Sequence, residues 1–362
     1  MIRVAEQTAS DRPTVSVAVI TYNHEQFIAQ AIESVLMQET VFVVELVIGE
    51  DCSTDGTRRI VQAYAQRYPN VIRALLPEKN LGMARNYDAV WQACRGKYVA
   101  WLEGDDYWRT PQKLQKQVAL MDANPHYSMC GTTTQFVTSS SDGAEKHAGE
   151  LEPPVLKPEY DLSDFLTRYP MHTSSMLLRR EFVEFPDWLN GLVMLRDTCV
   201  FALCAEKGPV GYLKDVVSCW RIHPGGIWTT KSEADQLQCN QKAIDLLDAH
   251  FGGRYHRLLR SREYQVWRTA LRSLAEHRKY REARRLYWQS ASRLVKLTPL
   301  KVLAFGWAVY GGYWCRNHWN QLTMLLAVRT RLRRLTGRVK VSSVGVNAAR
   351  NHAKRGARWH MP

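Results

Sequence analysis

The sequence predicts an α/β fold: a mainly parallel sheet with helices on both faces, followed by a helical and strongly basic C-terminal region. Three observations predict it. β-branched runs alternate with stretches of helical period through the first half of the chain. Polar clusters fall immediately after the inferred strands. The 362 residues are 45% apolar, enough for a sizeable core.

Val15 to Ile20 is a β-branched run ending in Thr21-Tyr22-Asn23, after which Phe27, Ile28, Ala31, Ile32, Val35 and Leu36 recur at helical spacing. Val43 to Ile48 repeats the strand signature and stops at Gly49-Glu50-Asp51; Ser53 to Thr57 offers an N-cap for a helix over Ile60 to Tyr68. Val71 to Leu76 reads as a strand, Gly82 to Cys94 as a helix, and Tyr98 to Leu102 as a fourth strand. Pro111 to Ala123 continues as a helix and Met129 to Val137 as a strand. Thr138 to Pro158, rich in Ser, Gly, Glu and Pro, reads as a long exposed loop. Beyond it come a strand over Thr173 to Leu178, an amphipathic helix over Val193 to Glu206, and two short strands, Val210 to Leu213 and Val216 to Ile222. From about Lys231 to Val295 the pattern is helical, with paired helices over Glu263 to Val295.

The formal charge of +14 suggests a nucleic-acid binder until it is located. No Asp or Glu follows Glu282, and residues 283–362 carry 16 of the 49 basic residues, leaving 33 basic against 35 acidic in the rest. A near-neutral globular part therefore precedes a basic end. The eight cysteines form no CxxC pair and no zinc spacing, as expected of reduced thiols in a cytosolic protein. Met1 to Pro13 is polar and has no apolar core of a signal peptide. The longest apolar run, Val302 to Cys315, is 14 residues, short of the ~20 that span a bilayer.

Tyr22-Asn23, Glu50-Asp51 and Glu103-Gly104-Asp105-Asp106 each follow a strand, and ligands of parallel sheets bind at the strands' carboxyl ends. No GxGxxG follows the first strand and no P-loop is present, which argues against a dinucleotide oxidoreductase or a glycine-cradled phosphate. An acidic crevice meets an anionic ligand through a divalent cation. Clustered carboxylates suit Mg²⁺ or Mn²⁺, which in turn grip a diphosphate. A metal-held nucleoside diphosphate is the simplest ligand that satisfies these terms.

The stretches Val15-Ser-Val-Ala-Val-Ile-Thr-Tyr-Asn23, Gly49-Glu-Asp-Cys-Ser-Thr-Asp-Gly-Thr57, Asn80-Leu-Gly-Met-Ala-Arg-Asn86 and Leu102-Glu-Gly-Asp-Asp-Tyr-Trp108 resemble the inverting glycosyltransferase family 2, with its GT-A fold, in the EGDDYW form of bacterial polysaccharide transferases. The resemblance is strong over 15–125 and continues through His172-Thr-Ser-Ser-Met176, Arg196-Asp197 and Arg221-Ile-His-Pro-Gly-Gly226. It implies that Tyr22 lies against the nucleotide base and that Asp51 accepts from the base imide N–H, favouring uracil or thymine and hence a UDP-sugar. Thr21, Asn23, Glu50, Asp55 and Arg85 would line the same pocket. Asp105 would hold Mn²⁺ or Mg²⁺ on the diphosphate, with Glu103 and Asp106 beside it and Arg221 and His223 near the donor phosphates. Asp197 would be the general base that deprotonates the acceptor hydroxyl, and Trp228 would stack on an acceptor sugar. Glu103 stands where aspartate is commoner in the family.

Structural roles compete with these. Asp105-Asp106 and Asp51 suit helix caps, and Asp197 suits a helix N-terminus by its charge alone. In register after three strands, the acidic residues favour a site. A degenerate transferase domain acting only in binding is the rival class. The resulting division is an extension over 1–13 and a GT-A domain over 14–230, with a nucleotide-sugar half over 14–137 and an acceptor half over 159–230. A helical region over 231–300, an apolar aromatic segment over 301–328 and a basic tail over 329–362 follow. Phe305, Trp307, Tyr310, Tyr313, Trp314 and Trp319, flanked by arginines, suggest an interfacial segment on anionic lipid. A buried helix is the alternative there. Arg329 to Arg358 has cations but a single neighbouring aromatic, Trp359, which makes nucleic acid the weaker partner. The expected setting is the cytoplasmic face of the inner membrane, where a glycan or polyprenyl-linked acceptor would lie.

Overall fold

The first strand, β1 (Val15–Thr21), runs through the middle of the sheet, and its residues are buried on both faces as expected of a parallel strand covered by helices. The computed structural model describes residues 12–139 and 145–295. The proposed segments 301–328 and 329–362, and nearly all of the 1–13 extension, lie outside the described residues.

After β1 come α1 (Ile28–Leu36), β2 (Val44–Glu50), α2 (Thr57–Arg67), β3 (Ile72–Leu75), α3 (Met83–Ala93) and β4 (Tyr98–Glu103). β5 (Tyr107–Trp108), α4 (Lys113–Ala123), β6 (Met129–Ser139), β7 (Glu145–Leu151) and α5 (Leu162–Thr167) follow, then β8 (Leu177–Arg179), α6 (Arg196–Lys207) and β9 (Val210–Ile222). The sheet order is β3-β2-β1-β4-β8-β6-β9-β5, with β7 on β6. β3, β2, β1 and β4 are parallel, as are β6 and β9, whereas β8, β7 and β5 pair antiparallel to their neighbours. Alternation along β1 and β4 feeds two cores. Val15, Val17, Val19, Tyr98, Ala100 and Leu102 pack with α1, α2 and α4. Ala18, Val99 and Trp101 pack with α3, α5 and α6. Seven described cysteines are free thiols, and burial pushes Cys94, Cys130 and Cys199 up to about 12, which keeps them protonated.

Register brings the strand ends together. Thr21 pairs with Glu50 and Ile20 with Glu103, so β1, β2 and β4 leave the sheet at one edge. The structure corrects four details of the sequence reading. The expected loop over 138–158 contains β7, whose residues pair with Thr134–Ser139. Thr173–Ser175 is a single 3₁₀ turn before β8, because Ser174 N–H and Ser175 Oγ–H bond back to His172 and compete with a ladder. Two short strands are one, β9, with a register shift where Leu213 and Val217 face Thr132 and Thr133. The helix expected from Val193 starts at Arg196, after Leu195 in the left-handed region at φ 61°.

The described chain divides into two units, one reaching Lys231 and including Gln238–Arg262, the other comprising Ser232–Leu237 and the chain from Glu263. Three helices run through this part: α7 (Glu233–His250), α8 (His256–Glu276) and α9 (Tyr280–Val295). Gly252 and Gly253, at φ 57° and 75°, end α7, with Gly253 N–H returning to Asp248 O. In the second unit Val266, Trp267, Leu271 and Leu274 of α8 pack with Ala283, Leu286 and Tyr287 of α9, the helix pair expected from the sequence. Glu263, fully buried there, accepts from Arg293 Nε at 2.5 Å.

Candidate active site

The loops after β1 and β2 are laced to each other. Asn23, left-handed at φ 56°, donates its N–H to Ser53 Oγ at 2.9 Å and accepts from Thr54 N–H on Oδ1 at 2.9 Å. Asp55 accepts from Glu25 N–H at 3.1 Å and, on its other oxygen, from Thr57 N–H at 2.9 Å at the start of α2. Glu50 is fully buried; it accepts from Ser53 N–H at 2.6 Å and pairs with Arg58. Asp51 accepts from Leu81 N–H at 2.6 Å and Gly82 N–H at 2.9 Å, and Gly82 takes φ 82° at the start of α3. Each Asp51 oxygen retains a further lone pair. Tyr22, 43% exposed, and Arg85, on the first turn of α3, face solvent. Thr21 is buried, its Oγ1 at 3.2 Å from His24 Nδ1.

The turn after β4 is built differently. Asp106 N–H returns to Glu103 O at 3.0 Å, and Gly104 lies so close to β1 that a Cβ there would sit 2.6 Å from Thr21 Oγ1. Asp106 Oδ1 accepts from Arg221 N–H at 2.9 Å. Its Oδ2 and Glu103 Oε2 are buried with no hydrogen-bond partner among the described residues. Those two carboxylates and a His172 ring nitrogen bring ligand atoms within 4.8 Å of one another. Burial pushes Glu103 up to about 8, reinforced by Asp105 and Asp197; burial with Asp105 and Glu103 pushes Asp106 well above the usual range. Burial also drives His172 down to about 4. Such a set of like charges and neutral imidazole without a counter-ion fits a divalent cation, whose charge would reverse both carboxylate shifts.

Asp105 turns the other way. Its Oδ2 lies 3.1 Å from His223 Nε2 and 3.7 Å from His24 Nε2. Burial pushes its carboxyl up, but the two imidazoles outweigh burial and hold it below the usual range. His24 was missed in the sequence although it ends the Thr21-Tyr22-Asn23-His24 turn. His172 was missed because its motif reads as strand.

Arg221, expected near the donor phosphates, lies against the acidic turn. Its guanidinium is buried, donating to Asp105 O, Gln30 Oε1 and Glu145 Oε1, and lies 4.6 Å over the Phe27 ring and 5.0 Å over Tyr107. It therefore braces the acidic turn from behind. Trp228 is half-buried in the turn after β9, where Lys231 N–H reaches its carbonyl at 3.3 Å.

Asp197 stands in the first turn of α6. Its Oδ2 accepts from Tyr169 O–H at 2.8 Å and Thr173 Oγ–H at 2.7 Å, while Tyr169 Oη accepts from Thr173 N–H at 3.1 Å. Oδ1 has neither of these donors. The preceding Arg196 is buried, pairs with Asp88 of α3 and lies 5.4 Å over Phe185, which anchors the helix start.

A mixed sheet, parallel through β3, β2, β1 and β4, thus brings the acidic turn after β4 to the same edge as the loops after β1 and β2. Residues 16–185 match the family model described as Glycosyl transferase family 2. An uncharacterized protein of Mycobacterium tuberculosis is 35% identical over 213 residues, 59% of this chain and 60% of the relative. The chain thus spans about 60% of the length of the mycobacterial relatives it matches. A Bacillus subtilis protein, TuaG, named provisionally as a teichuronic acid biosynthesis glycosyltransferase, is 38% identical over 110 residues, 30% of this chain and 42% of the relative. The crystal structure of Staphylococcus aureus TarS 1-349 in complex with UDP-GlcNAc superposes with a TM-score of 0.53 at 20% identity, covering 69% of this chain and 71% of that one. The fold is of the GT-A type.

Proposed function

We propose that the protein transfers a sugar, with inversion, from a nucleoside diphosphate sugar to a hydroxyl of a glycan or lipid-linked acceptor in cell-surface or exopolysaccharide synthesis. The carrying observation is the acidic turn after β4: buried carboxylate oxygens without hydrogen-bond partners, at the same sheet edge as the loops after β1 and β2. Glu103, Asp106 and His172 offer neighbouring ligand atoms for Mn²⁺ or Mg²⁺, and Asp105, on the same turn, is proposed as a further ligand. When bound, that cation supplies positive charge for the diphosphate as its bond to the sugar breaks. Tyr22 offers its exposed ring to the base, the remaining lone pairs of Asp51 suit an imide N–H, and Arg85 lies on the adjoining helix; this favours a UDP-sugar.

Asp197 is the proposed general base. Tyr169 and Thr173 occupy Oδ2, leaving Oδ1 to take the acceptor proton as the hydroxyl attacks. One base and no nucleophile give a single displacement. His223 holds Asp105, and Trp228 remains the proposed acceptor platform. The C-terminal region is proposed to hold the protein at an anionic membrane surface on the cytoplasmic face, where a polyprenyl-linked acceptor would lie. Among the described residues no helix is long and apolar enough to cross a membrane.

Incubation with a panel of nucleotide sugars and Mn²⁺ tests the activity. Transfer from one donor is expected, with Asp105→Ala and Asp197→Ala both abolishing it and only Asp105→Ala weakening nucleoside diphosphate binding. Undiminished transfer by both variants would sink the mechanism.

A further inference from the structure

We propose that the exposed face of α9 is a docking surface for the headgroup phosphates of an anionic lipid bilayer. Arg281, Arg284, Arg285 and Trp288 recur at one-turn spacing and line a cleft of about 350 Å³. None of the three guanidinium groups has a hydrogen-bond or ion-pair partner among the described residues. The opposite face of the helix, with Ala283, Leu286, Tyr287 and Ser290, is buried, so the arginines are held outward by packing. Trp288 is 64% exposed, with its ring edge-on to Tyr287 at 5.2 Å.

The chemistry selects the occupant. A guanidinium fork matches phosphate oxygens, and an indole settles at headgroup depth, where its ring is half in hydrocarbon and its N–H in the polar layer. Charge complementarity extends along the chain: Glu282 is the last acidic residue, and an aromatic apolar run over 302–319 follows within the same sequence. Cations with an aromatic at one helix face fit a bilayer surface better than a nucleic acid, which would take several stacking rings. The proposal rests on the membrane reading of the C-terminal region but assigns the contact to a different element, so it can fail alone.

The test uses the full chain and flotation with vesicles of phosphatidylcholine alone or mixed equally with phosphatidylglycerol. Arg281→Gln/Arg284→Gln/Arg285→Gln should reduce partition onto the anionic vesicles by about a hundredfold, at roughly fivefold per cation. Trp288→Ala should reduce it less, and nucleoside diphosphate binding should be unchanged in both. A second variant carries Arg329→Gln, Arg331→Gln, Arg333→Gln and Arg334→Gln. If the α9 variant floats like wild type while the tail variant does not, the α9 surface is refuted and the membrane reading stands. If wild type ignores anionic vesicles, or prefers an oligoribonucleotide to them, both fall.

Discussion

The two ends of the crevice answer their carboxylates in opposite ways. After β1 and β2, every carboxylate is answered from within: Glu50 by Arg58 and Ser53, Asp51 by Leu81 and Gly82, Asp55 by Glu25 and Thr57. After β4, Glu103 and Asp106 each keep a buried oxygen without a donor. Satisfied carboxylates stabilise loops and need nothing more. Unsatisfied ones cost stability unless a ligand completes them, which supports the proposal of a metal at β4 and of a base pocket at β2.

That contrast can be broken at its strongest point. Asp106→Asn keeps an oxygen for Arg221 N–H but removes the charge, so transfer should fall by about 10²–10³-fold. Mn²⁺ should raise the Tm of wild type and not of the variant, measured by thermal shift. Equal Mn²⁺ responses would erase the distinction between the two ends.

The next effect concerns a buried cation. Lys113 of α4 is fully buried 4.2 Å over Trp108 of β5, with Gln117 Oε1 as its acceptor at 2.7 Å, and burial drives it down to about 7. Unfolded, it titrates near 10.4. The unfolded chain therefore binds the extra proton between about pH 7 and 10, and stability rises with pH across that window by roughly 3–5 kcal/mol. Below pH 7 the penalty is fully present. Denaturant melts should show this slope in wild type and lose it in Lys113→Met.

Asp51→Asn sharpens the other end. An amide can accept on one oxygen only and turns its NH₂ toward Gly82 or Leu81 N–H, costing about 1–3 kcal/mol of stability. Binding of UDP should weaken with it, whereas Glu103→Gln should leave stability in chelator undiminished. Smallest is Tyr169→Phe, which removes one donor from Asp197 Oδ2 and strands Thr173 N–H. A roughly tenfold loss in kcat with KM held is expected, corresponding to about 1.4 kcal/mol.

Much of this is legible in the amino-acid order. Strand and helix positions through Ala123 follow from side-chain period, and the acidic turn announced itself by falling directly after Tyr98 to Leu102. What escaped was long-range pairing. β7 has a polar, charged sequence, Glu145 to Leu151, and becomes a strand because β6 offers an edge. His172 stands just before a segment that reads as strand, Thr173 to Leu178, and local pattern does not say that its ring turns toward Glu103 and Asp106.

By itself, the sequence determined the alternation of elements, the family resemblance and the location of the charge, since these depend on the order of residues along the chain. Only the tertiary structure decided which carboxylates are satisfied and which are not. Asp51 and Asp106 read alike as acidic residues after strands. Backbone N–H groups some thirty positions away occupy both oxygens of the first, whereas the second meets one N–H from β9 and otherwise a neighbouring carboxylate and an imidazole. Desolvation and hydrogen bonding act through space, so the difference between a braced carboxylate and an unsatisfied one appears only when the chain is folded.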